Sequence, residues 1–257
     1  MTVKVLLVDT FNLIRRVYEA GRSRGEPIEA VIEASRRSLE KALRQHAPSH
    51  GGAVVDSHEK SWQHLLYSDY KSGRTPTPET LLAHLNDFNS AFASLGVASL
   101  MRANIEADDI IGTLAQGIAA GGGQVVILST DKGFLPLLSD QIQVFHHFEQ
   151  RFISISSVQA RFDLRPDQLV DFWALAGDPT NGIKGVPRVG RKTAIGLLHA
   201  HDSLIGILKA DASDPLIGRI QAEKDLVLRC RLLVSLKTDL ELGVNLKSYR
   251  LKSPVSE

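Results

Sequence analysis

A chain of 257 residues, 43% hydrophobic and 23% charged, has the balance of a folded globular protein and room for one large α/β domain with a small appendage. Its longest early apolar stretch, Val5 to Val8, is too short to cross a bilayer and lacks a signal-peptide cleavage pattern. The single cysteine, Cys230, excludes a disulfide framework and a cysteine zinc site, so a cytoplasmic protein away from membranes is expected. A net charge of +1 excludes little, because a basic nucleic-acid surface and an acidic metal cluster cancel in the sum.

The chain opens on Val3-Lys4-Val5-Leu6-Leu7-Val8, a β-branched apolar run that reads as a buried strand and ends at Asp9. A helix is expected over Ile28 to Gln45, with Ile28, Val31, Ile32, Leu39 and Leu43 on one face. Ala53-Val54-Val55 reads as a second strand, closed by Asp56. Residues 57–77 are polar and poorly periodic, and Thr77-Pro78-Glu79 predicts a helix start with Thr77 as N-cap and Pro78 first. A strand near Val97 to Met101 leads into Glu106-Ala107-Asp108-Asp109 and a striped helix through Ile118. Gly121-Gly122-Gly123 breaks that helix, and Gln124 to Leu128 is the clearest strand, closed by Ser129-Thr130-Asp131. A weaker strand is expected over Ile142 to Phe145. From Ser157 onward only helices separated by Gly and Pro are expected, with an aperiodic tail around Ser253, Pro254 and Ser256. Alternating strands and helices imply a mainly parallel central sheet flanked by helices, an α/β domain at 1–156 followed by a helical region at 157–257.

Asp9, Asp56, the Glu106/Asp108/Asp109 group and Asp131 each stand at or just past the carboxyl end of an expected strand. In an open parallel sheet those ends share one edge, where ligands bind. A single Asp after a strand is often only a turn former or helix cap. Four strand ends carrying acids make coincidence a poor account, because carboxylates crowded together repel unless a cation sits between them. Hard oxygen donors without cysteine or paired histidines favour Mg²⁺ or Mn²⁺ over zinc. Such an ion suits phosphodiester hydrolysis, although a receiver domain or a phosphatase carries a similar edge. His146-His147 is a poor chelate, since neighbours on a strand point to opposite faces, and reads as structural.

Taken in order, Val8-Asp9-Thr10-Phe11-Asn12, Val55-Asp56, Tyr70-Lys71-Ser72-Gly73-Arg74, Glu106-Ala107-Asp108-Asp109 and Ser129-Thr130-Asp131-Lys132 resemble the 5′-nuclease superfamily, which includes flap endonucleases and the 5′-nuclease domain of bacterial DNA polymerase I. Leu175-Ala176-Gly177-Asp178 and Gly185 to Ala194 resemble its helix-hairpin-helix. The likeness spans residues 3–235 and, without a polymerase portion, is nearest the stand-alone bacterial Xni (exonuclease IX) group. It implies a PIN-like 5′-nuclease fold and metal-dependent hydrolysis at 5′ flaps or single-strand to double-strand junctions of DNA, in replication and repair. It also implies Mg²⁺ held by Asp9, Asp56, Glu106, Asp108, Asp109 and Asp131, with Asp108 the most direct. Lys71 and Arg74 would then stand on an arch above the metal and stabilise charge developing on the phosphate. Tyr70 would stack on a base, where the residue alone equally suits packing. Two departures stand out. Asp131-Lys132-Gly133 occupies the place of Asp-Lys-Asp, and Asn181 follows Asp178 where most members have a second Asp. They imply one tightly held ion with a second held through water. They also keep open an alternative, a flap-DNA-binding protein with weak or no cleavage.

Two glycines in Gly185-Val186-Pro187-Arg188-Val189-Gly190 permit a tight turn and a close approach of backbone amides to phosphate. Arg188, Val189, Gly190, Arg191, Lys192 and Thr193 are therefore candidate DNA contacts, independent of base sequence. The resemblance further implies K⁺ held by main-chain oxygens of Leu175, Ala176, Lys184, Val186 and Val189 and bridging to a DNA phosphate. Gly185 to Thr193 also mimics a nucleotide-binding loop, but it lies between helices rather than after a strand, which excludes nucleotide hydrolysis. The residues name no protein partner.

Overall fold

The computed structural model describes residues 3–57 and 59–251; the tail with Ser253, Pro254 and Ser256 lies outside the described residues. Strands β1 (Lys4–Asp9), β2 (His50–Val54), β3 (Ala98–Leu100), β4 (Gln124–Leu128), β5 (Ile142–His146) and β6 (Arg151–Ile153) form one sheet in the order β3-β2-β1-β4-β5-β6. The first five pair in parallel, and β6 runs antiparallel to β5 with Phe145 opposite Phe152. The sheet is thus mainly parallel, as expected. The edge strand β6 is too short to carry a readable period.

Helices α1 (Thr10–Ser23), α2 (Ile28–His46), α3 (Trp62–Leu66), α4 (Glu79–Ala83), α5 (Leu85–Ala93) and α6 (Ala107–Ala120) accompany the sheet. Leu6 and Val8 pack on one face with Leu13 and Ile14 of α1, Leu39 of α2 and Phe88 and Phe92 of α5. Val5 and Leu7 point to the other face, against Ile110, Ile111 and Ala115 of α6. This division follows from the period of two along a strand. Helix α1 escaped the sequence reading. Asp9 ends β1 and caps α1 at once, its carboxylate accepting from the Asn12 amide at 3.2 Å, and burying Leu13 and Ile14 contributes roughly 1.5–3 kcal/mol each. The helix expected to start after Thr77 begins one residue later, at Glu79, with Pro78 as its N-cap. β3 is shorter than the expected Val97–Met101, and His147 lies beyond the end of β5 rather than on it.

The remaining helices, α7 (Ile155–Phe162), α8 (Leu169–Ala176), α9 (Arg191–His201), α10 (Leu204–Lys209), α11 (Pro215–Ala222) and α12 (Lys224–Val234), build a third core around Phe172, Trp173 and Leu175. Buried Asp171 ties it together, accepting from the Leu204 amide at 2.8 Å and from Arg231 Nε at 2.6 Å. A boundary after residue 156 would cut through α7. Tyr70 and Leu135, from the α/β part, belong to this core and join the two parts.

Between α8 and α9 the backbone doubles back on itself. Gly177 has φ +85°, and a Cβ there would lie 2.7 Å from the carbonyl oxygens of Ile183 and Lys184. Gly190, by contrast, has ordinary φ and open space around it. Gly177→Ala should therefore lower unfolding stability by more than about 2 kcal/mol in urea titration, and Gly190→Ala by less than about 1 kcal/mol. Equal losses would show that the close backbone approach does not constrain this turn.

Candidate active site

The strand order reverses beside β1, and the crevice at that switch point opens at the carboxyl ends of β1 and β4. Asp9 stands there, buried, with Oδ1 receiving the Asn12 amide and Oδ2 receiving Ser129 Oγ at 2.7 Å. Asp56, just past β2, accepts from the Ala107 amide at 2.7 Å, which fixes it at the N-terminus of α6. Asp131 follows β4 and accepts from the Gly133 amide at 2.7 Å. Asp108 comes from the first turn of α6 and is half-buried.

These four acids share one field. Burial, then the charges of Asp56 and Asp131, push Asp9 up to about 7 against the bonds from Ser129 and Asn12. Burial, then Asp131 and Asp9, hold Asp108 well above the usual carboxylate range, with Lys71 opposing. Asp56 is raised too, by burial first, while the Ala107 amide and Lys71 pull it down. Among the described residues no three acidic or histidine side chains stand at metal-ligand spacing. Asp9, Asp56 and Asp131 are instead turned to local donors, as like charges dictate when nothing neutralises them. The donor chemistry nonetheless fits a hard cation: oxygen ligands only, crowded at one edge, with Asp9, Asp56 and Asp108 raised by burial and mutual charge.

Glu106 faces a different partner. Its Oε2 accepts from Lys71 Nζ at 2.7 Å and from the Tyr70 hydroxyl at 3.1 Å, and its Oε1 from Ser61 Oγ at 3.3 Å. Burial would lower Lys71, but Glu106 and Asp108 outweigh it and hold the ammonium above its ordinary range. Lys71 is thus the cation among the carboxylates. Tyr70 is buried in the helical core with its hydroxyl engaged, so the packing reading holds and base stacking does not. Arg74 lies exposed, directed at Asn181 Oδ1 (2.8 Å) and the Thr180 carbonyl (3.2 Å) rather than at the carboxylates, although its charge still lowers Asp56.

Asp109 corrects the expected ligand set. It is fully buried, Oδ2 accepting from Trp62 Nε1 at 2.7 Å and Gln63 Nε2 at 3.1 Å, Oδ1 from the Lys237 amide at 2.9 Å. Neighbours on a helix point about 100° apart, so Asp108 can face the crevice only if Asp109 turns away. Asp109 ties α3 and the C-terminal segment to α6. Sequence reasoning also missed Asn12, Ser61 and Ser129. Asn12 and Ser129 had a signal in their place beside the acids at strand ends, whereas Ser61 had none.

The hairpin residues come together as expected, with one correction. The Leu175 carbonyl accepts from the Val186 amide at 2.9 Å and that of Val186 from Val189 at 3.1 Å. Each keeps a second lone pair, and the Leu175 and Lys184 carbonyl oxygens approach the backbone of Gly185 and Gly177 closely. Gly190 caps α9 without a side chain, leaving the amides of Arg191, Lys192 and Thr193 facing outward. Arg188 is exposed at φ +64°. Arg191 is not free: it donates to the Arg161 carbonyl at 2.7 Å and lies 5.4 and 5.5 Å from the Phe162 and Phe172 ring centres. It braces α9 against α7 and α8, while Lys192, exposed like Arg191, has no such side-chain contact among the described residues. His146 pairs with Glu149, and burial first, then His146 and Arg16, push His147 down to about 3. Both histidines are structural in this arrangement.

A parallel sheet with an acidic switch point and a hairpin of open amides defines a class of nucleases. Residues 4–163 match the family described as 5′-3′ exonuclease, N-terminal resolvase-like domain, and residues 164–257 match 5′-3′ exonuclease, C-terminal SAM fold. The chain belongs to this 5′-3′ exonuclease family and is a nuclease, hydrolysing phosphodiester bonds. Along its length it is similar to flap endonuclease Xni of Aeromonas salmonicida, 41% identical with 98% of each chain covered. It is also similar to flap endonuclease Xni of Colwellia psychrerythraea, 38% identical over 100% of this chain and 94% of the other. The fold is that of the T5 D15 protein co-crystallised with metal ions, with a TM-score of 0.77 at 18% identity over 91% and 90% of the two chains.

Carboxyls raised above their unfolded values bind protons that the unfolded chain has released. Their contribution favours the ion-free fold in acid and is lost as pH rises through about 7 at Asp9. A divalent cation binds the ionised form, so the Tm gain from Mg²⁺ should grow between about pH 6 and about pH 8. Asp108→Asn should raise the Tm of ion-free protein at the upper pH and remove most of the Mg²⁺ gain. A variant that gains as much as the parent would disprove a cation site at this edge.

Proposed function

We propose that the chain is a divalent-metal-dependent 5′ flap endonuclease, cutting DNA at single-strand to double-strand junctions during replication and repair in the cytoplasm. The observation that carries the reading is the gathering of Asp9, Asp56, Asp108 and Asp131 at the sheet's switch point, where burial and mutual charge raise the first three, with Lys71 beside them. The names of the relatives support the flap substrate, and the titles of T5 D15 structures with metal ions and DNA support the cofactor and the partner. Among the described residues no helix is long and apolar enough to cross a membrane.

Asp9, Asp56, Asp108 and Asp131 would hold Mg²⁺ or Mn²⁺, with Glu106 joining when Lys71 leaves it. When bound, the ion supplies Lewis-acid polarisation of the scissile phosphate and a more acidic water. The chain's own part is charge and position. Lys71, released from Glu106, is placed to neutralise the phosphate, and Arg74 stands on the same segment as a second cation. On the helical side, the amides of Lys192 and Thr193, the side chains of Arg188 and Lys192, and a K⁺ ion on the carbonyls of Leu175, Ala176, Lys184, Val186 and Val189 would hold the duplex by its phosphates.

A second reading, flap binding with weak cleavage, draws on Asp178, whose oxygens are already taken by Lys132, Thr180 and Asn181. A labelled 5′-flap substrate separates the two. The parent should cleave it in Mg²⁺ and not in EDTA, and Lys71→Ala should lower kcat at least about 100-fold while DNA affinity in EDTA stays within about threefold. Lys192→Ala should instead weaken binding equally across DNA sequences and shallow the salt dependence by about one unit of slope. Tight binding without any cleavage in Mg²⁺ or Mn²⁺ would favour the second reading.

A further inference from the structure

The segment carrying Lys71 and Arg74 is fastened to the helical region at one loop. That loop, residues 178–183, is rigid in itself: Asp178 and Ile183 exchange backbone bonds of 2.7 and 3.0 Å, and the Asn181 and Gly182 amides close turns within it. Onto it fall three contacts from the Lys71–Arg74 segment. The Lys71 amide donates to the Asn181 carbonyl at 3.0 Å, Arg74 donates to Asn181 Oδ1 at 2.8 Å, and Arg74 Nε donates to the Thr180 carbonyl at 3.2 Å. The approach is closer still at Gly182. It has φ +73°, and a Cβ there would lie 2.7 Å from the Asp69 carbonyl oxygen.

Asn181 does what neither an acid nor an apolar residue of its size could. Its Oδ1 faces a guanidinium, which only donates, and its Nδ2 donates at 2.7 Å to Asp178 Oδ2, a carboxylate that only accepts. An Asp here would keep the first bond and set two carboxylate oxygens against each other in the second. Asp178 is itself held by Lys132 Nζ at 2.5 Å and the Thr180 amide at 3.1 Å. A continuous series of bonds therefore runs from Lys132, next to Asp131, through Asp178 and Asn181 to Arg74 and Lys71, and from Lys71 to Glu106 at 2.7 Å. Lys71 takes a left-handed conformation, φ +56°, which is strained for a non-glycine residue and needs fixed neighbours to persist.

We propose that Asn181 is a positioning residue that clamps the Lys71–Arg74 segment to the helical region and so sets where both cations stand over the carboxylate edge. The proposal rests on the nuclease reading above. Where relatives of the wider superfamily carry an acid, this chain has a two-faced amide. The loop continues directly into the Gly185–Gly190 turn, so the clamp also fixes the cleavage edge and the hairpin in one register.

The test uses the full-length protein and three variants: Asn181→Ala, Asn181→Asp, and the exchange Asp178→Asn with Asn181→Asp, which restores one donor facing one acceptor. On a 5′-flap in Mg²⁺ the two single variants should lose about tenfold or more in kcat with KM within about twofold. The exchange variant should recover to within about threefold of the parent. Hydrogen exchange should rise at residues 69–74 in the single variants and return in the exchange variant, with the α8 and α12 amides unchanged throughout. Unchanged kcat and unchanged exchange at 69–74 in Asn181→Ala would overturn the clamp, as would an exchange variant no better than Asn181→Asp. If Asn181→Ala does not fold, Gly182→Ala, which forces the same segment away through the backbone, should give the same loss and the same local exchange. A parent that cuts no flap would defeat the nuclease reading alone, because the exchange measurement still decides the clamp.

Discussion

Repulsion among the carboxyls at the β1 and β4 ends is the constraint from which most of the site follows. Four acids in one buried crevice cannot all be charged unless something positive joins them. The fold leaves three remedies in view: raised proton affinity at Asp9 and Asp108; the Lys71 ammonium, drawn in beside Glu106; and local donors, turned to Asp9, Asp56 and Asp131. All three are reversible, which is what a site that must admit an ion and a phosphate requires. A permanently satisfied set would be a structural anchor, and Asp109 shows what one looks like. Its three donors come from α3 and from the segment after α12, and it lies one residue from Asp108.

The position of the acids was legible in the sequence because it depends only on strands ending where apolar runs end. Val5 to Val8 and Gln124 to Leu128 are unmistakable, and Asp9 directly after the first and Asp131 three residues past the second follow from the chain. The orientation of those acids was not legible. Asp108 and Asp109 are equivalent as text, and only the helix phase of α6, set by packing Ile110 and Ile111 into the sheet, separates them. The bracing contacts of Arg191 were hidden for a similar reason. A basic residue at a helix start suggests phosphate, but Phe162 and Phe172, distant in sequence, provide a platform for its guanidinium. Helix α1 was overlooked although Asp9 announces it, because a residue with an attractive chemical role hid its ordinary one as a cap.

Two residues that looked like losses take on meaning through their neighbours. Gly133 donates its amide to Asp131 Oδ1, a bond that turns this acid at the edge. Asn181, neutral where an acid was expected, is the link between a carboxylate and a guanidinium. Loss of charge at these positions also relieves the crowding that the remaining acids suffer, since each extra carboxylate would raise the others further.

The same economy explains why the catalytic and DNA-holding parts cannot be treated as separate modules. Tyr70 is packed in the helical core while its hydroxyl and its neighbour Lys71 bond Glu106 of the α/β part. Leu135, four residues past Asp131, enters the same core. Any shift of the helical region relative to the sheet would therefore drag Lys71 across the carboxylate edge and expose a buried aromatic ring, at a cost of several kcal/mol by the usual measure of apolar burial. Phosphates held at the α9 N-terminus, as proposed, would thus be presented to the acidic crevice at a fixed distance, with the register between holding and cutting set by this shared core.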